Sequence, residues 1–206
     1  MRVVIAGFGK FPGVPFNPSA ILVRALARRR RPALADVVCS THIFATSYAA
    51  VDRDLPRLFA GKPDLILIFG VAGRRRYLSI ETRARNAQSL LYPDVTGHHP
   101  ASGTIERGAP AALRGDAPFV LLQNAVRPSR FPARLSRDAG RYLCNYVYWR
   151  ALAQARATPA LVQFIHIPHI ASHPRRPRSR GPRLAFSSLM TAAEMLLVAL
   201  IAASRR

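Results

Sequence analysis

The stretch DLILIFG, residues 64–70, decides how the rest of the chain is read. After Asp64, five apolar residues follow without polar interruption, and Gly70 closes the run. A run this short and this uniformly apolar is a strand covered on both faces, as in a parallel sheet flanked by helices. Outward from it, short apolar runs alternate with helical patterns. RVVIAGF (2–8) reads as a buried first strand, LADVVCSTHIFA (34–45) as a second, YLSIET (77–82) as a further one and ALVQFIHIP (160–168) as the last. Between them, NPSAILVRALARRR begins with Asn17 or Ser19 as a helix cap and keeps apolar residues at helical spacing through Leu26.

AVDRDLPRLFAG (50–61) has a helical pattern that Pro56 interrupts. APFVLLQNAV (117–126) suits a helix, with a strand as the alternative, and FPARLSRDAG (131–140) suits a strand and turn. YLCNYVYWRALAQAR (142–156) and residues 184–203 read as helices, and 88–110 as a long surface segment. The expectation is α/β: an open, twisted, mostly parallel sheet with helices on both faces, an α/β/α sandwich in a single domain spanning 1–206.

Composition narrows the classes of function. Half the residues are hydrophobic, which excludes a disordered chain. The net charge is +21, yet Lys10 and Lys62 are the only lysines, and the arginines are scattered apart from 28–31, 74–76 and the Pro/Arg tract at 173–183. Arginine used in place of lysine throughout is the mark of a compositional bias, and no zinc-finger or aromatic RNA-binding motif accompanies it. No sequence-specific nucleic-acid partner is expected, and the 173–183 tract reads as a solvated loop. Cys39 and Cys144 are the only cysteines, too few for a disulfide framework, which suits the cytoplasm. The apolar N-terminal run is too short for a signal peptide. LMTAAEMLLVALIAASRR (189–206) falls short of the roughly 20 residues of a bilayer span, and Glu194 interrupts it. No membrane partner is expected; a buried or oligomer-forming helix is.

Thiol chemistry supplies the one constellation with a mechanism. It needs a thiolate, a base to make it and a group to orient that base. Cys144 follows DAG and opens a helical pattern, so it falls at a helix N-terminus, where free N–H groups favour a thiolate and can hold an oxyanion. Cys39 lies within a strand pattern and reads as core. His166 ends the run LVQFI at the carboxyl end of a strand, where open α/β sheets place their sites, and His169 follows three residues on. Glu81 ends YLSIE, where a carboxylate needs a partner: Arg83 or Arg85 if structural, His166 if functional. Spacing alone does not choose. GFGKFPG lacks the third glycine of a dinucleotide loop, and His166-x-x-His169 lacks the glutamate of a zinc helix.

Several of these blocks together resemble the pyroglutamyl peptidase I (pyrrolidone-carboxylate peptidase) family of cysteine peptidases. They are GF-x-x-F-x-G…NPS at 7–19, G-x-AG at 70–73, SIE-x-x-A-x-N at 79–86, PD at 93–94, GAP at 108–110, S-x-DAG-x-YLCNYVYW at 136–149 and FIHIP at 164–168. The resemblance implies a catalytic Cys144, His166 and Glu81, with Phe8, Phe11 and Val71 at the substrate. It also implies removal of an N-terminal pyroglutamyl residue from peptides through an acyl-enzyme. Neither metal nor cofactor is needed for that chemistry, and a cytoplasmic homo-oligomer is implied. Departures from the family pattern fall at Gly9, Lys10 and Pro12 in the first loop, at Val71 and Arg74 where glutamine and glycine are usual, and at Leu91 where arginine is common. The alternatives are a thiol amidase acting on another small acyl or cyclic amide, or a non-catalytic polyanion-binding protein on the same fold.

Overall fold

A computed structural model describes residues 1–11, 16–170 and 185–205. Pro12 and the 173–183 tract lie outside them. The strands are β1 (Arg2–Phe8), β2 (Val38–Phe44), β3 (Leu65–Val71), β4 (Leu78–Glu81), β5 (Arg83–Arg85), β6 (Ala112–Arg114), β7 (Ala133–Ser136) and β8 (Leu161–Ile167). The helices are α1 (Pro18–Ala27), α2 (Tyr48–Ala60), α3 (Phe119–Val126), α4 (Leu143–Ala155) and α5 (Phe186–Ser204).

Six strands form one sheet in the order β2-β1-β3-β8-β4-β7. All neighbours run parallel except β4 against β8, so the sheet is mostly parallel and changes direction once. Because side chains alternate along each strand, the two faces feed two separate cores. Val4, Ala6, Phe8, Ile66, Ile68, Val162 and Phe164 pack with α2 and α4. Val3, Ile5, Leu65, Leu67, Phe69, Ile165 and Ile167 pack with α1, α3 and α5. The unbroken apolar reading of 64–70 follows from this: both sides of β3 are covered.

The helices begin where side chains satisfy their free amides. Asn17 Oδ1 accepts from the Ser19 amide at 3.0 Å at the start of α1, and Pro18 fills the first turn. For α2, Ser47 Oγ accepts from the Ala50 amide at 3.2 Å, and Asp94 Oδ2 accepts from the Tyr48 amide at 3.0 Å. Pro56 sits inside α2 without ending it. The buried stripe of Tyr48, Val51, Leu55 and Phe59 outweighs the one hydrogen bond that the proline removes.

Two expectations change. Residues 83–85 and 112–114 pair as a short antiparallel ribbon, β5–β6, which three-residue strands give no pattern to announce. The ribbon brackets the long segment 88–110, whose core is Asp94: it accepts from the Tyr48, Thr96 and His98 amides and from the Thr96 hydroxyl. The last helix, at 19 residues, is not too short: among the described helices it alone has the length and composition to cross a membrane. In the fold, its Leu189, Ala192, Leu196, Leu197 and Leu200 are fully buried beside α1, α3 and β3. Its Glu194 is neutralised by Arg31 and Arg29. Leu197→Ala is expected to lower unfolding stability by about 2–5 kcal/mol, read from denaturant melts. A loss under about 0.5 kcal/mol, the size typical of surface substitutions, would show that the helix is not part of the core.

Candidate active site

The sheet places the candidate residues through its register. His166 pairs across β3–β8 with Gly70, and across β8–β4 with Ser79. Glu81 lies two residues beyond Ser79 on the same face, so the diagonal brings its carboxylate to the imidazole. His166 Nδ1 donates to Glu81 Oε1 at 2.8 Å. With Nδ1–H committed to the carboxylate, Nε2 is left free to take a proton. The imidazole is 5 % exposed and meets the Phe164 ring edge-on, 4.9 Å between centroids.

Glu81 is fully buried, with one carboxylate oxygen and the backbone carbonyl each taken by two donors. Arg75 Nη1 donates to the same Oε1 at 2.7 Å, while Arg75 Nη2 donates to the Asp138 carbonyl at 2.7 Å. The backbone carbonyl of Glu81 accepts from Tyr148 Oη and from Gln163 Nε2, each at 3.0 Å. Burial pushes this carboxyl upward, but the hydrogen bond and charge of His166, with Ser136 and Arg75, outweigh it and hold Glu81 below its ordinary 4.5.

Cys144 is the second residue of α4, and no side chain caps that helix at Tyr142. Its position depends on a missing side chain. A Cβ on Gly70 would fall 2.9 Å from Cys144 Sγ and 2.6 Å from Phe164 Cζ. The thiol therefore sits against the one place on β3 where the sheet leaves room, beside the strand partner that carries His166. The helix terminus was expected to favour a thiolate. Here burial, joined by the charge of Glu81, prevails over Arg75 and the backbone amide and pushes the Cys144 thiol up to about 12. A thiol raised this far keeps its proton near neutral pH, so any nucleophilic role would need a base to take it.

The remaining candidates take different places. Phe8 is buried against Phe44, and Phe11 packs 5.6 Å from the ring of Tyr142, the residue before α4. Tyr142, Tyr48 and Tyr146 continue this aromatic group edge to face. Val71 points to the opposite face and packs with the α1, α3 and α5 core. His169 is exposed beyond the strand, and Cys39 lies half-buried on the edge strand β2. Neither Arg83 nor Arg85 partners Glu81: Arg83 Nε donates to the Arg137 carbonyl, and Arg85 reaches Asp138 at 3.8 Å. Both belong to the β5–β6 ribbon, past the end of β4.

Tyr148 and Gln163 were missed as parts of this site. Arg75 matches the arginine of the family's loop, but no role in holding Glu81 was assigned to it. Gly70 had a local signal, since glycine in a buried strand marks a close approach.

An α/β sandwich with a thiol at a helix start and a buried imidazole–carboxylate pair beside it is the frame of a cysteine peptidase. This chain belongs to the pyroglutamyl peptidase family, whose model matches residues 1–206. It is 33 % identical over 204 residues to the pyrrolidone-carboxylate peptidase of Erwinia tasmaniensis, covering 94 % of this chain and 90 % of that one. It is 31 % identical over 201 residues to that of Thermococcus onnurineus, covering 96 % and 97 %. In three dimensions it is similar to the pyrrolidone carboxyl peptidase of Thermococcus litoralis, with a TM-score of 0.87 at 24 % identity over 98 % of this chain and 93 % of the other. A mutant enzyme from P. furiosus matches with a TM-score of 0.84 at 26 % identity, covering 97 % and 98 %. None of these matches supports the polyanion-binding or other-amidase alternatives.

Glu81→Gln is expected to destabilise the protein by about 2–4 kcal/mol near neutral pH, because Arg75 and His166 lose a buried counter-charge. A carboxyl held low in the folded state adds stability above its unfolded pKa and loses it as pH falls through the folded value. The gap between wild type and variant should therefore be full above about pH 5 and close only as pH falls below the ordinary carboxyl value through the lowered folded one. Denaturant melts across that range check it; a gap independent of pH would contradict the pairing.

Proposed function

We propose that this protein removes the N-terminal pyroglutamyl residue from peptides, with Cys144 as nucleophile, His166 as base and then acid, and Glu81 orienting the histidine. One observation carries the reading: the 2.8 Å bond from His166 Nδ1 to a fully buried Glu81, on the face of the sheet where Cys144 lies over Gly70. It is supported by relatives named pyrrolidone-carboxylate peptidases along nearly the whole chain.

The steps follow from the proton inventory. His166 Nε2 takes the thiol proton as Sγ bonds to the carbonyl carbon of the pyroglutamyl amide. The oxyanion is met by the uncapped first-turn amides of α4. His166 returns the proton to the leaving nitrogen, the C–N bond breaks, and a thioester remains. Water, deprotonated by the same imidazole, adds to the thioester; the C–S bond breaks and pyroglutamate leaves with the thiol restored. Glu81 holds the imidazolium formed at each stage without itself taking a proton.

The lactam ring would lie against Phe11 and Tyr142, with Phe8 backing the wall from the core. Val71 is assigned no side-chain contact with it, since its side chain serves the other core. Two further departures, Arg74 and Leu91, present exposed side chains. Gly9 and Lys10 fix the first loop through their backbones, to the Phe44 carbonyl and the Thr46 hydroxyl. A reducing cytoplasm suits the two free thiols. The exposed strip of Leu90, Leu91, Tyr92 and Val95 offers a homo-oligomer contact.

A fluorogenic pyroglutamyl amide should be turned over under reducing conditions. Cys144→Ser and His166→Asn should each lower kcat by about 10³-fold or more, and Glu81→Gln by about 10²–10⁴-fold. Full activity in Cys144→Ser would refute the assignment.

A further inference from the structure

Beyond the sheet edge formed by β7, between α3 and the β5–β6 ribbon, lies a cavity of about 460 Å³ that the peptidase chemistry does not use. Its polar wall is Arg83, Arg114 and Arg137, and its apolar wall is Phe119, Val120 and Leu135. Arg83 and Arg137 lie just past the strands carrying Glu81 and Ser136, and Thr82, between β4 and β5, lines the cavity with them, whereas Glu81 does not.

Two features make the cavity a ligand site in the making. The first is charge. Among the described residues, no carboxylate forms an ion pair with any of the three arginines. Arg83 reaches only the Arg137 carbonyl, and Arg114 lies 5.7 Å over the Phe119 ring. The nearby Asp138 carboxylate is taken by Arg85. The second is apolar surface: Val120 is 63 % and Leu135 39 % exposed. Three guanidinium groups beside an open apolar wall match a molecule with an anionic head and a hydrophobic body. The volume suits a small molecule. A second copy of this chain is a poor occupant, since its net charge of +21 leaves few carboxylates to offer.

We propose that this cavity is a second binding site, separate from the peptidase centre, for an organic anion with an aliphatic or aromatic body, the carboxylate or phosphate on Arg83, Arg114 and Arg137 and the body on Phe119, Val120 and Leu135.

The test uses 4-phenylbutyrate as probe and inorganic phosphate as the head group alone, with calorimetric titration into the wild type, Arg114→Gln, Arg137→Gln, Val120→Ser and Cys144→Ser. Phenylbutyrate should bind the wild type and Cys144→Ser equally, and about tenfold or more weaker to either arginine variant. Val120→Ser should weaken phenylbutyrate and leave phosphate unchanged. Thermal melts without probe confirm that each variant is folded, and Arg137→Gln should keep its turnover of a pyroglutamyl amide. Absence of phenylbutyrate binding to the wild type overturns the proposal, as does binding that the arginine variants leave intact or that Cys144→Ser removes. Self-association that Arg137→Gln abolishes would do the same, since the occupant would then be a second copy.

Discussion

The site rests on one buried carboxylate. Glu81 is a carboxylate buried away from solvent, and such a charge survives only where paired donors offset the lost hydration. Arg75 and His166 share one oxygen, while Tyr148 and Gln163 hold the carbonyl behind it. Three separate stretches of chain are thereby fixed to a single residue of β4: the loop after β3, α4 and β8. The change of strand direction at β4 serves this purpose. Antiparallel pairing with β8 sets Ser79 opposite His166, and so brings Glu81 to the imidazole on the face where α4 lies. A slip of one residue would turn the carboxylate to the other core.

The same burial that makes the pair strong works against the thiol. Cys144 gains from the free amides at the start of α4, yet desolvation and the Glu81 charge raise it. In the proposed reaction the thiol must therefore give up its proton to a base, and the Nδ1–H of His166 is already anchored on the Glu81 carboxylate. Under the proposed mechanism charge separates only during reaction, when the carboxylate would stabilise the imidazolium. Gly70 makes this geometry possible, because any larger residue would occupy the space of the sulfur and of Phe164.

Much of this was legible in the sequence, for reasons that can be named. DLILIFG, RVVIAGF and LVQFIHI carry dense apolar runs because both faces are covered, and that pattern carries the sheet. Asn17 and Pro18 announce α1 through capping chemistry that acts within a few residues. The unread parts depend on partners far along the chain. Glu81 and Arg75 meet because β3 and β4 are joined by a loop that doubles back, a contact that the family match of Arg75 alone does not foretell. Val71 could not be assigned a face until the β3 register was known, and the β5–β6 ribbon is too short to show a period. The helix-terminus argument for Cys144 was sound in sign, but it omitted the depth of burial, which only the packed fold supplies.

The central claim is that the sulfur of Cys144 takes the pyroglutamyl group. Acid quenching of the protein during turnover of a pyroglutamyl amide, followed by peptide mass spectrometry, reads this directly. The peptide containing Cys144 should gain the mass of one pyroglutamyl acyl group, removable by hydroxylamine, while the Cys39 peptide stays unmodified. Turnover with no such adduct on Cys144, or with the adduct on another residue, would contradict the account.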